Sequence, residues 1–316
     1  MSKGAEKVRG KGDREDEKNK LIFSNTNTIL LDIIVRYSLL AAALLTTLAI
    51  IIIAYSLISE SWSFFLHIPM DKFLFGDRWA AFFDDKSFGV LPLLAGTVLT
   101  TAVALSLAIP IGIGSAIFLS EYASSLRRIV KPILEILAGI PTVVYGYFAL
   151  YFITPNLQSF IPDLATYNAL AAGLAMGVMI IPTIASLSED AFYAVPQSLK
   201  AASYALGARK STVVMRIIIP YTLSAIVAIV ILGIGRAVGE TMIVTIAAGL
   251  KPTLTLNPFE SVMTMTSAIA QAATGDAPRG TIEYTSLFAV ALYLFVIVAI
   301  LNLLSSYLKR RWEIKV

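Results

Sequence analysis

Apolar residues in this chain come in long blocks, separated by shorter polar stretches. The blocks run over about 30–58, 93–119, 133–154, 168–187, 218–249 and 284–308. A helix crossing about 30 Å of hydrocarbon needs about 20 mostly apolar residues, so the pattern predicts six membrane-spanning helices. Several blocks contain residues that would break a soluble helix: Pro110, Gly112 and Gly114 in the second, Gly139, Pro141 and Gly146 in the third, Pro182 in the fourth. Within a bilayer these are tolerated where neighbouring helices satisfy the freed backbone groups.

Composition agrees. The chain is 57% hydrophobic and 15% charged, against about 25% charged for a soluble domain. Its polar surface is too small to cover a globule, so an all-α polytopic membrane protein is expected. Charge placement then sets orientation. With the N-terminus inside, segments 1–28, 120–132, 188–217 and 309–316 carry 18 Lys/Arg, and segments 59–92, 155–167 and 250–283 carry 5. The positive-inside bias predicts an N-in, C-in, six-span topology in the cell membrane. Trp62, Trp79 and Trp312 suit interfacial anchors. Residues 1–28 read as a disordered cytoplasmic tail, 29–308 as the membrane domain and 309–316 as a cytoplasmic C-terminal tail. The first block is about twice the length of a signal-peptide core and is closed by no small-residue cleavage site, so it reads as a retained span.

Little in the chain suits metal or thiol chemistry. Cysteine is absent and His67 is the lone histidine, so neither a thiolate site nor a multi-His site is expected. Asp71, Asp77, Asp84 and Asp85 of the segment 59–92 match no calcium-loop spacing and read as solvated charges. No cofactor, metal or nucleic-acid partner is expected.

Two features carry chemistry. The first is Gly233-Ile-Gly235-Arg236-Ala-Val-Gly239-Glu240-Thr241 inside the fifth block. In a continuous helix the i, i+4 spacing puts Arg236 and Glu240 one turn apart on one face. An arginine at the bilayer centre costs about 2.5–3.5 kcal/mol on insertion scales, which places it away from lipid. A self-satisfied structural ion pair fits; a polar lining for an anion path fits better, because the guanidinium fork matches an oxyanion. The glycines form no dinucleotide loop, since no strand precedes them.

The second is the segment after the fourth block. Pro196 reads as a helix start and Gly207 as its stop, giving a helix over about 197–207, too short to span. Its small residues, Ala201 and Ala202 among them, permit close approach of a partner, and Leu199, Tyr204 and Leu206 supply anchors. Both an interfacial connector and a docking helix for a cytoplasmic partner fit this pattern.

The stretch Leu199-Lys-Ala-Ala-Ser-Tyr-Ala-Leu-Gly207, with Pro220 thirteen residues on, resembles the EAA…G…P loop of ABC-importer permeases. It departs from that pattern at the acidic position, where Ala201 stands after Lys200. Gly235-Arg-Ala-Val-Gly-Glu-Thr241, Leu137-Ala-Gly-Ile-Pro-Thr-Val-Val-Tyr-Gly146 and Pro110-Ile-Gly-Ile-Gly-Ser-Ala-Ile-Phe-Leu-Ser-Glu-Tyr-Ala123 resemble the fifth, third and second spans of phosphate-uptake permeases. Trp79 to Gly89, leading into Gly96-Thr97, is most similar to the PstC type.

The resemblance implies a type I ABC-importer permease fold that moves inorganic phosphate inward by alternating access. It implies an extracytoplasmic phosphate-binding protein, a PstA-like sister permease and a dimer of ATPase subunits as partners. It assigns Arg236 and Glu240 to the substrate pathway, and Leu199, Ala201, Ala202, Tyr204, Leu206 and Gly207 to ATPase coupling. The chain has no GxxxxGK[ST] phosphate loop, so it is expected to be no enzyme itself and to leave ATP to the partner. A stand-alone ion-coupled transporter, a membrane sensor, a permease for another oxyanion and the PstA-type sister subunit are the alternatives.

Overall fold

The computed structural model describes residues 3–123 and 126–312, with side chains over 31–123, 126–275 and 277–308. The side chains expected to form the two terminal tails therefore lie outside the described ones. In chain order the elements are α1 (Lys3–Phe65), α2 (Met70–Phe75), β1 (Trp79–Ala80), β2 (Ser87–Phe88), α3 (Leu91–Ile117), α4 (Arg127–Ala138), α5 (Thr142–Phe148), α6 (Thr154–Gln158), α7 (Ala169–Tyr193), α8 (Gln197–Ala205), α9 (Lys210–Val213), α10 (Ile219–Val238), α11 (Met242–Ala247), α12 (Met265–Gln271) and α13 (Ile282–Trp312). π-helical turns continue α3 over Phe118–Tyr122, join α5 to α6 over Ala149–Ile153, join α9 to α10 over Val214–Ile218, and follow α12 over Ala272–Asp276.

Five of these runs are long and apolar enough to span a bilayer, and a sixth forms if the bent pair around Gly139–Pro141 counts as one. The number agrees with the hydropathy blocks; three boundaries do not. The backbone of α1 is helical from Lys3, well ahead of the first apolar block, although Gly4, Gly10 and Gly12 are weak helix formers. The third block starts too early. α4 has no buried residue and turns by 87° into the Thr142–Gln158 run, because Pro141 cannot donate the next helical hydrogen bond. The fifth span ends at Val238, eleven residues before the end of its apolar block.

α7 is the central helix: 61% of its apolar window is buried, against 28% for the α3 and α10 windows and 11% for that of α13. Its contact with α3 is made at backbone distance. A Cβ on Gly173 would stand 2.6 Å from the Val103 Cβ, and one on Gly177 2.8 Å from the Ala104 carbonyl oxygen. Small residues are what allow membrane helices to approach this closely. Pro110 and Pro182 lie inside α3 and α7 without ending either.

The polar segment 59–92 is folded. β1 and β2 pair antiparallel, with Trp79 opposite Phe88 and Ala80 opposite Ser87. Phe64 meets Phe65, Phe73 and Phe88 edge-on, at ring separations of 5.3–5.7 Å. Trp79 packs on Phe88 at 5.9 Å and is 5% exposed. It is a core residue, not the interfacial anchor expected; Trp62 remains exposed. Asp85 pairs with Arg78 at the surface, 2.7 Å away.

Candidate functional site

Arg236 lies in the last turn of α10. The helix closes at Gly239, whose amide donates to the Gly235 carbonyl (3.1 Å), and the Glu240 amide donates to the Ala237 carbonyl (3.2 Å). The chain then restarts as α11. The i, i+4 relation drawn from the sequence assumes a continuous helix, and that helix ends between the two residues.

Each therefore finds another partner. The Arg236 guanidinium donates from Nη1 to the Thr183 hydroxyl, 2.6 Å away. Thr183 stands midway along the buried α7. Glu240 is 9% exposed, and its Oε1 accepts from the backbone N–H of Met242 (3.0 Å) and of Ile243 (3.2 Å). It thus caps α11, whose first amides have no intrahelical acceptor. Among the described residues no ion pair joins Arg236 to Glu240, so the self-satisfied pair, the less favoured of the two readings, does not form here.

A segment expected in an outer loop completes this site. Residues 262–268 are buried throughout. The Thr266 hydroxyl donates to the Glu240 carbonyl at 2.6 Å. Thr264 and Ser267 exchange hydrogen bonds in a capping box at the start of α12. The Met265 amide donates to the Thr97 hydroxyl at 3.0 Å. At Gly96 a Cβ would stand 2.4 Å from the Met263 carbonyl oxygen. The Gly96-Thr97 pair thus receives the returning chain: glycine gives room and threonine supplies an acceptor. Non-helical backbone inside a membrane protein is tolerated where protein buries it in this way.

Tyr145 of α5 lies within electrostatic reach of Arg236, and its hydroxyl donates to the Leu137 carbonyl at 3.0 Å. Beyond α11, an open cavity of about 730 Å³ is lined by Tyr147, Tyr151, Tyr167, Thr245 and Lys251 among others. Thr183, Thr266 and Tyr145 were not singled out from the sequence. Their signal was weak: isolated hydroxyl residues in apolar stretches.

The short helix stands where the sequence puts it. α8 runs from Pro196, at its N-cap, to Leu206. Gly207 follows with φ +76°, and its amide donates to the Tyr204 carbonyl at 2.9 Å. A left-handed glycine closes a helix without the penalty a Cβ would bring. Leu199, Ala201, Ala202, Tyr204 and Leu206 are all exposed, Leu206 at 90%. Partial desolvation of this otherwise exposed side chain, with Glu121 and Tyr122 nearby, pushes the Tyr204 phenol above its ordinary pKa. Lys200 is the buried residue of α8; its ammonium meets Glu121 Oε1 at 2.6 Å.

α4 is held to the end of α7 by charge. Arg127 and Lys131 reach the carboxylates of Glu189 and Asp190, with Arg127 Nε 2.5 Å from Glu189 Oε1. The Arg127 guanidinium also lies 4.3 Å from the centre of the Tyr193 ring. The hydrogen bond to Asp190 is the main cause holding the Lys131 ammonium above its usual pKa.

Residues 108–314 match the family described as binding-protein-dependent transport system inner membrane component. The chain is 34% identical over 302 residues to the phosphate transport system permease protein PstC of Mesorhizobium japonicum, covering 89% of this chain and 91% of that one. It is 32% identical over 298 residues to the probable ABC transporter permease protein YqgH of Bacillus subtilis, covering 93% and 96%. Among solved structures it is similar to a bacterial ABC transporter involved in the import of the acidic polysaccharide alginate. There the TM-score is 0.62 at 17% identity, over 89% of this chain and 98% of the other.

Proposed function

Because the chain belongs to the family of inner membrane components of binding-protein-dependent transport systems, we propose that its cargo is inorganic phosphate and that Arg236 is the cation the phosphate meets. The chain is a membrane-embedded ABC-importer permease subunit with the type I permease fold, and it is not itself an enzyme. Such a subunit works with an ATPase and a substrate-binding protein. The finer partners we infer are a phosphate-binding protein outside, a PstA-like sister permease beside it and two ATPase subunits that carry the ATP, with both termini inside.

One observation carries the reading. Arg236 sits beside the centre of the bundle with a neutral hydroxyl as its partner, while the nearest carboxylate in sequence, Glu240, is engaged by the amides of α11. A guanidinium in a low-dielectric setting without a carboxylate is costly, and an incoming oxyanion offsets that cost. Its planar donors fit phosphate oxygens. Thr183 holds the fork in place by a single hydrogen bond, which an anion can replace without separating an ion pair. Glu240 acts beside this path by fixing the break between α10 and α11, so that the two half-helices keep their ends at the site. Lys251 adds a second cation at the open cavity beyond α11, whose lining stops short of Arg236.

α8 receives the force. Its exposed Leu199, Ala201, Ala202, Tyr204 and Leu206 present an apolar, small-residue face that fits a groove on an ATPase, and Gly207 ends that face abruptly. The reading is tested in proteoliposomes holding the assembled complex with the binding protein inside the assay. Labelled phosphate should accumulate only with ATP, and Arg236→Gln should abolish uptake while the complex still assembles. Normal uptake by that variant would remove Arg236 from the path. Flux without ATP by this chain alone would favour a stand-alone transporter instead.

A further inference from the structure

We propose that Lys200 is the positioning residue that passes movement of α8 into the membrane bundle, acting through Glu121 and the Phe192 carbonyl. The proposal rests on the reading of the chain as an ATP-driven permease.

α8 is otherwise a surface helix, with Lys200 as its buried residue. The Lys200 and Glu121 side chains are 9% and 7% exposed, and their charged atoms are 2.6 Å apart. The same ammonium lies 3.4 Å from the Phe192 carbonyl oxygen. Glu121 belongs to the π-helical turn that ends α3, and Phe192 to the last turn of α7. One side chain therefore joins the docking helix to the two most closely packed spans. A second strap runs beside it, since the Lys210 ammonium stands 5.0 Å from the centre of the Tyr122 ring. The segment containing α8 is thus gripped near both ends by adjacent residues of one turn.

A buried ion pair adds little net stability over a well-packed apolar pair. What it supplies is direction: a charged pair bonded at short range fixes the register between two helices, where an apolar contact slides. Behind the joint, Phe192 and Thr183 are on the same helix, nine residues or about 13 Å apart along its axis. Thr183 holds Arg236. A push on α8 thereby reaches the anion-facing residue through one continuous, buried helix. Lys200 stands one residue ahead of Ala201, which occupies the acidic position of the family loop, and is the connection itself.

The test uses the complete complex and the double variant Lys200→Met with Glu121→Gln, which removes both charges and leaves no unpaired ion. Because the chain has no cysteine, spin labels can be placed at Val98→Cys on α3 and Leu232→Cys on α10, both exposed. In the parent complex, ATP should change the distance between the labels. In the double variant that change should disappear. ATP hydrolysis and ATPase co-purification should persist, and the phosphate moved per ATP should fall about tenfold, within the usual range of coupling energies. Exchanging the charges, Lys200→Glu with Glu121→Lys, should recover part of the ratio if that variant assembles. An unchanged ratio and label response in the neutral variant would overturn the proposal. Loss of the ATPase from that variant would overturn it too, by making the pair a support for docking only. An ATP-driven label response with no phosphate uptake by the parent complex would instead sink the phosphate reading and leave the joint standing.

Discussion

The Arg236 guanidinium and the Thr183 hydroxyl meet at 2.6 Å across the contact between α10 and α7. The bond orients a cation that no neighbouring carboxylate neutralises among the described residues. Thr183→Val keeps the shape of the side chain and removes the acceptor. A hydrogen bond to a charged group is worth about 1.5–3 kcal/mol, so uptake by Thr183→Val should fall about tenfold or more with ATPase assembly intact. Arg236→Lys should lie between the parent and Arg236→Gln, because an ammonium keeps the charge and loses the planar fork. Initial rates of labelled phosphate uptake check the order. Equal rates for Thr183→Val and the parent would show that Arg236 is positioned by something else.

Glu240 separates two roles that the sequence runs together. If it caps α11, an amide oxygen serves nearly as well as a carboxylate. Glu240→Gln should then keep most of the uptake, and Glu240→Ala should lose it together with about 1–2 kcal/mol of stability, the usual cost of a lost cap. Thermal unfolding of the purified complex, read alongside uptake, decides between the roles. A Gln variant as inactive as the Ala variant at unchanged stability would put the negative charge itself in the pathway.

What could be read from the sequence divides along physical lines. Hydropathy made the six spans legible because lipid imposes a length and a composition on each. α8 was legible because Pro196 and Gly207 bracket it with local backbone rules. The break at Gly239 was not, although Gly235 and Gly239 stand beside it: an apolar run reads alike whether its helix continues or stops. The second half of α4, from residue 133, was merged into the third span for the same reason, although Arg127, Arg128 and Lys131 set its first half in a cytoplasmic segment. The returning segment 262–268 was hidden more deeply. Its burial depends on Gly96 and Thr97, more than 160 residues earlier in the chain, and no local period reports a contact of that separation.

That contact gives a prediction at Gly96. The space for its Cβ is occupied by the Met263 carbonyl at 2.4 Å, a backbone atom that cannot swing aside. Gly96→Ala should push the returning chain away from α3 and strain the bond from Met265 to Thr97. Overpacking of this kind costs about 1–3 kcal/mol, read as a lower unfolding temperature. The displaced Thr266 would also let go of the Glu240 carbonyl, so uptake should fall more than stability alone accounts for. Thr97→Val, which removes the acceptor without crowding, should reproduce the smaller part of the loss. An alanine variant with parental stability would mean that the segment has room to shift.

At Gly207 the strain is conformational and nothing else. Its φ is +76°, and no atom stands within 4 Å of the place a Cβ would take. A non-glycine residue in this region costs about 1–2 kcal/mol, and asparagine is among the residues that adopt it most readily. Gly207→Ala and Gly207→Asn should therefore differ, though both side chains have space. The alanine variant should loosen the end of α8, and with it the exposed face ending at Leu206, so that ATP hydrolysis continues while phosphate moved per ATP declines. The asparagine variant should stay near the parent. A bulky β-branched residue, Gly207→Val, should uncouple most strongly, since branching adds to the strain. Hydrolysis and uptake measured on the same vesicles give the ratio. Identical ratios for the alanine, asparagine and valine variants would show that the turn only connects α8 to α9 and transmits nothing.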